Sequence, residues 1–372
     1  MADSQMMKVA RLHEVGGTMR LEEVARPTPR ESDVLVRVRA CGVQPNLRNI
    51  ITHGPKTYPN RPLPPLPAIF GLDVTGEIVE IGSKVRDVKI GDRVYVNPGR
   101  SCGTCRYCRQ GDSISCSWYT YAGYFGFSKK SLEIFEQYPY GGFGEFMTAP
   151  ATALVTLPDD ISFEKGARFG YIGTAFSALK RSHASAASTL LINGASGTLG
   201  VSCVVSALAL GVNKIFATGR NVALLERVKA LAPDRIEIFS LDKGSIAEWA
   251  KQQTDGDGVD IVIDCLGQGA AHETFVDGLY SLRRGGTFVN IGATRGQVPV
   301  QVHHLLSSNI VYISSLWFTT REARELVSLT QSGLLDVSVF ETRIYPLESI
   351  EEAIEGSHDR SNGGFSYVVV RP

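Results

Sequence analysis

Four of the seven cysteines lie close together in the stretch SCGTCRYCRQGDSISC, residues 101–116. Their spacing is C-x2-C-x2-C-x7-C, and four thiolates around one ion form the tetrahedral arrangement of a structural zinc site. Because no coordination position is left for water or substrate, we expect this zinc to serve stability. Two disulfides or free thiols are the alternative. The expected ligands are Cys102, Cys105, Cys108 and Cys116.

A second candidate site is the glycine-rich turn NGASGTLG, residues 193–200, which follows the apolar run LLI and opens a helix-like segment. Glycine lets the backbone approach a pyrophosphate, and a helix N-terminus offers free N–H groups and a positive dipole end. A strand–helix turn without a ligand is the alternative. The expected cofactor contacts are Gly194, Ser196, Gly197, Thr198, Leu199 and Gly200.

The next strand-like run ends in Thr218-Gly219-Arg220-Asn221, where a site for NAD would usually place an acid. An acid would repel a 2′-phosphate, whereas Arg220 can pair with one through charge-assisted hydrogen bonds. We therefore predict NADP(H) as the cofactor, with contacts at Gly219, Arg220 and Asn221. The alternative is that Arg220 is a solvated surface charge.

The elements that must position these residues differ between the two halves of the chain. Residues 1–150 hold short alternating or β-branched runs such as DVLVRVRACGV, and the stretch 54–71 contains six prolines and is expected to be an extended loop. From about Thr189, strand and helix patterns alternate, which predicts a parallel, doubly wound sheet and an α/β fold. After Trp317 we expect a helix ending at Gly333, then a strand, a helix and a final strand.

Composition excludes several classes of protein. The 372 residues include 38 basic and 38 acidic side chains, so there is no basic surplus for nucleic acid. We expect no signal peptide, because the stretch MADSQMMKVARLHEV has no long apolar core and no small-residue cleavage site. We expect no membrane span, because no apolar run reaches about 18 residues. An odd number of cysteines with one tight cluster favours a reduced compartment. The protein is thus expected to be cytoplasmic.

Taken together, GLDVTGEIVEIGSKV, GDRVYV, the cysteine lobe, GFGEFMTAP, NGASGTLG and LRRGGTFVNIG resemble the medium-chain dehydrogenase/reductase superfamily over nearly the whole chain. The resemblance implies a GroES-like catalytic domain at 1–171, with a zinc lobe at about 98–117. It also implies a Rossmann domain at 172–316, a return to the first domain at 317–372, a small-molecule substrate, and a homodimer or homotetramer. Further cofactor contacts are then expected at Thr174, Leu266, Gly267, Ile291 and Gly292.

The zinc enzymes of this family hold a catalytic zinc with three ligands. These are a cysteine, a histidine in a G-H-E motif, and a cysteine or acid at the entry to the second domain. In this chain those positions fall on Gln44, Leu72 and Gly170. None of the three side chains can supply thiolate, imidazole or carboxylate. We therefore predict one structural zinc per chain and no catalytic zinc. An alternative site made of Cys41, His53 and Asp73 matches no spacing known to us.

Without a Lewis acid, hydride transfer favours an activated C=C, as in an enone or quinone, or a reactive carbonyl. The amides of Gln44 and Asn46 are candidate donors to the substrate oxygen, and Tyr58 resembles the proton donor of some zinc-free reductases of the family. Tyr58 could instead simply pack on the proline-rich loop. Asp73 is expected to accept hydrogen bonds from loop backbone.

An aromatic insert, residues 118–140, holds nine tyrosine, tryptophan or phenylalanine residues. It predicts either a satellite core beneath a long loop or a hydrophobic entrance for a bulky or aromatic substrate. Three functions remain open at this point: an NADPH-dependent reductase, an alcohol dehydrogenase or carbonyl reductase without catalytic zinc, and a non-enzymatic nucleotide-binding protein.

Overall fold

A computed structural model describes residues 5–372. The strands are β1 (Met6–Leu12), β2 (Met19–Ala25), β3 (Asp33–Gly42), β4 (Ala68–Ile69), β5 (Asp73–Ile81), β6 (Arg93–Val96), β7 (Gly99–Arg100), β8 (Thr120–Tyr121), β9 (Phe146–Pro150), β10 (Leu154–Thr156), β11 (Thr189–Asn193), β12 (Lys214–Gly219), β13 (Ile236–Ser240), β14 (Val259–Asp264), β15 (Leu282–Asn290), β16 (Val311–Ser314), β17 (Glu341–Pro346) and β18 (Ser366–Arg371). The helices are α1 (Leu47–Thr57), α2 (Arg106–Arg109), α3 (Ser131–Gln137), α4 (Phe163–Gly166), α5 (Phe169–Arg181), α6 (Thr198–Ala209), α7 (Val222–Lys229), α8 (Ile246–Gln252), α9 (His272–Tyr280), α10 (Val302–Ser307), α11 (Thr320–Gln331) and α12 (Ile350–Gly356).

The apolar runs after residue 188 form a six-stranded parallel sheet in the order β13-β12-β11-β14-β15-β16. Strands β11 and β14 lie at its centre, and their side chains are almost all buried because helices cover both faces. The strand order reverses between these two strands. In a doubly wound sheet a ligand binds in the crevice at the carboxyl ends of the strands on either side of that point. The predicted α/β fold class is confirmed.

The second large sheet is assembled from both ends of the chain. Its order is β10-β6-β5-β3-β18-β17, and β9 also pairs with β3. The C-terminal strand β18 is antiparallel to β3, with Val370 opposite Cys41, and parallel to β17. A smaller sheet, β2-β1-β4, and the two-stranded pair β7-β8 complete this half. The C-terminal segment therefore packs beside Cys41 and Gly42, two residues before the candidate donor Gln44.

Helix α1 corrects the prediction that residues 54–71 are all loop, since the helix continues through Pro55 to Thr57. Proline lacks the N–H that would bond to the carbonyl of Ile51 one turn earlier. The backbone N–H of Gly16 takes that place, with N and O 3.0 Å apart. A tertiary contact thus satisfies the carbonyl that the sequence pattern leaves free, and the helix tolerates its proline.

The outer strand of the parallel sheet, β16, has one neighbour only, so one of its edges is open. Val311 and Tyr312 on this strand, and Val302 and Leu306 on α10, are exposed apolar side chains. No helix among the described residues is long and apolar enough to cross a membrane.

Candidate functional site

The cysteine lobe brings its four sulfurs together. All four Sγ atoms lie within 4.8 Å of one another, and the pairs Cys105–Cys108 and Cys102–Cys116 are each 3.6 Å apart. A disulfide would need about 2.05 Å, whereas a tetrahedral zinc with Zn–S bonds of about 2.3 Å separates its sulfurs by about 3.8 Å. Gly103 and Gly111 have φ of +74° and +84°, which lets the loop fold back around the sulfurs. The donor set and its geometry fit zinc.

The glycine-rich turn connects β11 to the N-terminus of α6, as the sequence predicts. No side chain caps that helix, so its first N–H groups remain available to a ligand. A Cβ at Gly200 would lie 2.2 Å from the carbonyl oxygen of Gly194, so only glycine lets the helix start this close to the strand. The backbone of the turn is held by a hydrogen bond from the N–H of Ala195 to the carbonyl of Thr218, at 2.8 Å.

The far side of this turn packs against residues near the C-terminus. The N–H of Gly364 donates to the carbonyl of Ser196 at 2.8 Å. A Cβ at Gly363 would lie 2.5 Å from that same oxygen, and one at Gly364 would lie 2.1 Å from the carbonyl oxygen of Gly197. The glycine-rich turn and the segment leading into β18 therefore fit together only because residues 363 and 364 are both glycine.

The residues predicted to contact the ribose end of the cofactor lie at the carboxyl end of β12. Arg220 is exposed, and it has no ion-pair or hydrogen-bond partner among residues 5–372. The side chain of Asn221 caps α7 by accepting a hydrogen bond from the N–H of Leu224 at 3.1 Å. Gly219 lies against the turn, since a Cβ there would be 3.2 Å from Ser196 Oγ. These positions leave the guanidinium of Arg220 free to meet a phosphate.

The remaining predicted cofactor residues lie just after β14, just after β15 and on α5. Gly292 follows β15, and a Cβ there would lie 2.6 Å from the carbonyl oxygen of Leu266 and 2.7 Å from Asp264 Oδ2. That carboxylate oxygen is buried without a partner among the described residues. Burial raises the pKa of Asp264 to about 7. The other predicted contacts here are Thr174, whose hydroxyl donates to the carbonyl of Gly170 at 2.8 Å, Gly267 and Ile291.

A buried hydrogen-bond network centred on Asp73, the first residue of β5, includes the predicted donor Gln44. The Asp73 carboxylate has no exposed surface and accepts from Gln44 Nε2 at 2.7 Å and from the hydroxyl of Tyr95 at 2.8 Å. The expectation that Asp73 bonds loop backbone is therefore wrong. Burial raises its pKa to about 7, while the hydrogen bonds from Tyr95 and Gln44 and the charge of the buried Arg168 oppose that rise.

Tyr95 and Arg168 were missed by the reading of the sequence. The available signal was the aspartate in the otherwise apolar stretch AIFGLDV, residues 68–74, because a buried carboxylate requires partners. Tyr95 lies on β6, where it pairs with Thr75 of β5, so the sheet register places it beside Asp73. Arg168 donates to the carbonyl of Gly364 and lies 3.9 Å from the centre of the Phe340 ring.

The three positions that the resemblance aligns with catalytic zinc ligands hold side chains of other kinds here. Gln44 is bonded to Asp73, and Leu72 is buried and apolar. A Cβ at Gly170 would lie 2.3 Å from both carboxylate oxygens of Asp73, so a cysteine or acid has no room there. Among the described residues, only the cysteine lobe gathers three or more potential metal ligands. The residues at this site do not fit a zinc ion.

Asn46 and Tyr58 occupy different environments. The hydroxyl of Tyr124 donates to Asn46 Oδ1, which fixes the amide and leaves its two N–H donors for another partner. The half-buried Tyr58 has no hydrogen-bond partner for its hydroxyl among residues 5–372. It helps to line a narrow cavity together with Ile50, Gly54, Arg61, Leu63 and Phe125.

The aromatic insert forms a packed cluster that also reaches this cavity. The ring of Tyr121 lies 5.5 Å from that of Phe125 and 4.7 Å from that of Trp317, which follows the parallel sheet. The hydroxyl of Tyr121 donates to the carbonyl of Leu316 at 3.3 Å. The insert therefore behaves as a satellite core joining the two halves, while Phe125 borders the cavity beside Tyr58.

Comparisons with known proteins agree with this architecture. Residues 30–159 match the family model for the alcohol dehydrogenase GroES-like domain, and residues 198–332 match the model for zinc-binding dehydrogenase. An alcohol dehydrogenase from Geobacillus stearothermophilus is 30% identical over 94% of this chain and 95% of its own length. A sorbitol dehydrogenase from Bacillus subtilis strain 168 is 26% identical over 94% of this chain and 93% of its own length.

A similar crystal structure is that of a protein from Sinorhizobium meliloti 1021, described as a zinc-binding dehydrogenase and bound to NADP. It superposes with a TM-score of 0.82 and 25% sequence identity, covering 99% of this chain and all of that one. The likeness extends through both sheets, so the spatial relation of the two halves is shared with that protein.

Removal of one lobe thiolate tests the structural zinc. We expect purified wild-type protein to contain about one zinc per chain by elemental analysis. Cys105→Ser should lose most of that zinc and melt at least about 5 °C lower, because a three-thiolate site no longer closes around the ion. Cys203→Ser, a buried cysteine of α6, is the matched control and should keep its zinc. Wild type without zinc would exclude the lobe site, and two zinc ions per chain would reveal a second site.

Asp73→Asn removes a buried carboxyl while keeping its size. An ordinary aspartate has a pKa of about 4, and burial raises that of Asp73 to about 7, so the wild type takes up a proton on folding between these values. Its stability should therefore fall relative to the variant as pH rises through that window. We expect the difference in free energy of unfolding, wild type minus variant, to drop by about 2–3 kcal/mol between about pH 5 and pH 8 in denaturant titrations.

Asp264 is present in both proteins, so its titration cancels in this difference. A difference independent of pH, or one that favours the wild type increasingly at alkaline pH, would show that Asp73 is not held in a state that resists ionisation.

Proposed function

The chain belongs to the zinc-type medium-chain dehydrogenase/reductase superfamily and is an oxidoreductase, and from this premise we propose that it uses NADP(H), without catalytic zinc, to reduce an activated C=C or a reactive carbonyl. One observation carries the proposal. The carboxylate of Asp73 occupies the space beside Gly170 that a third zinc ligand would need, and it binds the Gln44 amide at the first ligand position. A substrate oxygen in this site must then be met by hydrogen-bond donors.

The cofactor proposal rests on the glycine turn, the uncapped N-terminus of α6 and the unpaired Arg220. The turn would hold the pyrophosphate and Arg220 the 2′-phosphate, while residues around Leu266 and Gly292 would line the nicotinamide end of the crevice. When bound, NADPH supplies the two electrons and the hydrogen that reduce the substrate.

Asn46 is the better placed of the two amide donors. Its carbonyl oxygen is occupied by Tyr124, so both N–H groups can point toward a substrate carbonyl. Gln44 is buried, and its amide nitrogen already donates to Asp73 at 2.7 Å and, more weakly, to the hydroxyl of Tyr367 at 3.5 Å. Amide donors of this kind stabilise less charge than a metal, which favours acceptors that delocalise charge, such as enones and quinones.

Tyr58 is the proposed proton source. Reduction of an enone adds one hydride equivalent at the β-carbon and one proton at the α-carbon, so a donor must stand near the cleft. The phenol of Tyr58 borders the cavity, and no described residue occupies its hydroxyl. Asp73 lacks exposed surface, and we assign it the role of positioning Gln44.

Oxidation of an alcohol, or reduction of an unactivated ketone, without catalytic zinc is the second candidate. It is favoured by the similarity to proteins named alcohol dehydrogenase and sorbitol dehydrogenase.

The proposal includes a homodimer or homotetramer. The open edge of β16 and the exposed apolar side chains of α10 offer a surface on which a second copy could continue the sheet. Light scattering that gives a monomer mass at micromolar concentration would exclude this part of the proposal.

Coenzyme preference tests the role of Arg220. We expect kcat/KM for NADPH to exceed that for NADH. Arg220→Ala should lower the NADPH value by about 10–100-fold and leave NADH use nearly unchanged, because only the 2′-phosphate loses a partner. Arg321→Ala, which removes an exposed arginine of α11, should change neither value. A clear preference of the wild type for NADH would overturn the NADP(H) proposal.

Reaction class is tested by rates on a substrate panel. We expect NADPH-dependent reduction of conjugated enones or quinones to be faster than NADP-dependent oxidation of alcohols. Tyr58→Phe should lower enone turnover by about a hundredfold, because the ring remains but the hydroxyl that donates the proton is removed. Tyr140→Phe, in the aromatic insert, is the matched control.

Fast alcohol oxidation with negligible enone reduction would favour the second candidate. Near wild-type turnover by Tyr58→Phe would remove this tyrosine from the mechanism.

A further inference from the structure

Two arginines from distant parts of the chain lie close to the ring of Tyr58. This ring borders the narrow cavity that Tyr58 and Phe125 help to line, and we call the opening beside it the cleft. The guanidinium carbon of Arg61 lies 4.6 Å from the centre of the Tyr58 ring, and that of Arg295 lies 5.9 Å from the same centre. The two carbons are therefore at most about 10.5 Å apart. Arg61 follows α1, and Arg295 follows β15, so the pair spans the boundary between the two halves.

Neither arginine is neutralised by the protein. Both are exposed, and neither forms an ion pair or donates a side-chain hydrogen bond to any residue in the range 5–372. Other arginines of the same segments do have acids: Arg48 pairs with Glu351, and Arg283 pairs with Asp260 at 2.5 Å. The two cleft guanidiniums therefore keep their full charge and donor capacity.

The chain segments that carry these arginines and the aromatic side chains beside them contain no acid. Aspartate and glutamate are absent from residues 34–72, 113–132 and 278–321, although the whole chain has as many acidic as basic side chains. These segments supply Tyr58 and Arg61, then Phe125, then Arg295. Charge of one sign in a cleft with apolar walls raises the local concentration of oppositely charged ligands. The mouth of this cleft attracts anions.

We propose that the physiological substrate carries a carboxylate, bound between Arg61 and Arg295 with the Tyr58 ring beneath it. This deepens the proposed function, since it names the substrate class of the same site. Guanidinium groups bind carboxylates through two parallel N–H donors, and this geometry fixes orientation as well as affinity. The apolar side chains of Ile50, Leu63 and Phe125 line the small cavity beside the Tyr58 ring, and we expect them to contact the carbon skeleton joined to that carboxylate.

The cofactor is the rival ligand for Arg295. This residue is only three positions after Gly292, which places its backbone within about 11 Å of a predicted cofactor contact. Arg61 has no such relation to the nucleotide turn, because it belongs to the loop that carries Tyr58. Binding of NADPH to the variants therefore separates the two ligands.

The test compares 4-oxo-4-phenylbut-2-enoic acid with its methyl ester, two enones that differ in one charge. We expect the full-length wild type, with NADPH, to show kcat/KM for the acid at least about tenfold above that for the ester. Arg61→Gln and Arg295→Gln should each lower this acid-to-ester ratio by about tenfold. Arg20→Gln, on the edge strand β2, is the matched control and should preserve the ratio.

Equal wild-type use of acid and ester would overturn the carboxylate proposal while leaving enone reduction intact. Dissociation constants of acid and ester for the NADPH-loaded protein, measured by calorimetry, distinguish a failure of the carboxylate proposal from a failure of the proposed reaction class. Arginine-dependent preference for the acid in binding, without turnover of either compound, would contradict the reaction class and support the carboxylate site. A loss of NADPH affinity in Arg295→Gln, with the acid-to-ester ratio unchanged, would assign that arginine to the cofactor and overturn the proposal.

Discussion

The burial of one carboxylate constrains the whole candidate site. Asp73 lies at the start of β5 without contact to water, so its oxygens must be satisfied by neighbours. Gln44 and Tyr95 do this, and position 170 must be glycine to leave room for it. The carboxylate in turn holds the amide of Gln44, one of the proposed donors to the substrate, in a fixed position. The chemistry of the site follows from this packing.

The features that were predictable from the sequence are local in the chain. The cysteine lobe and the nucleotide turn each lie within sixteen residues or fewer, so spacing alone indicates how their atoms meet. The doubly wound sheet was predictable for a similar reason, since apolar strands and helices alternate at regular intervals from Thr189. These expectations agree with the sulfur distances and with the parallel strand order.

The features that were not predictable depend on contacts between distant residues. Asp73 and Tyr95 meet because antiparallel register aligns β5 with β6, and nothing in either strand's sequence specifies that register. Helix α1 continues through Pro55 because Gly16 satisfies the Ile51 carbonyl. Arg61 and Arg295 are separated by 234 positions and come together only when the two halves are assembled. The charge pattern of the cleft is therefore a property of the tertiary structure.

The contact between the glycine-rich turn and Gly363–Gly364 limits how the two halves of related chains can be recombined. Two glycines of the segment entering β18 form part of the wall of a turn that lies more than 160 residues earlier in the chain. If the half that contains the parallel sheet were taken from a relative, its turn would pack against a C-terminal segment of different sequence unless the matching segment came with it. The two halves are thus not freely exchangeable modules, and recombination between members of this superfamily is constrained at both ends of the inserted sheet.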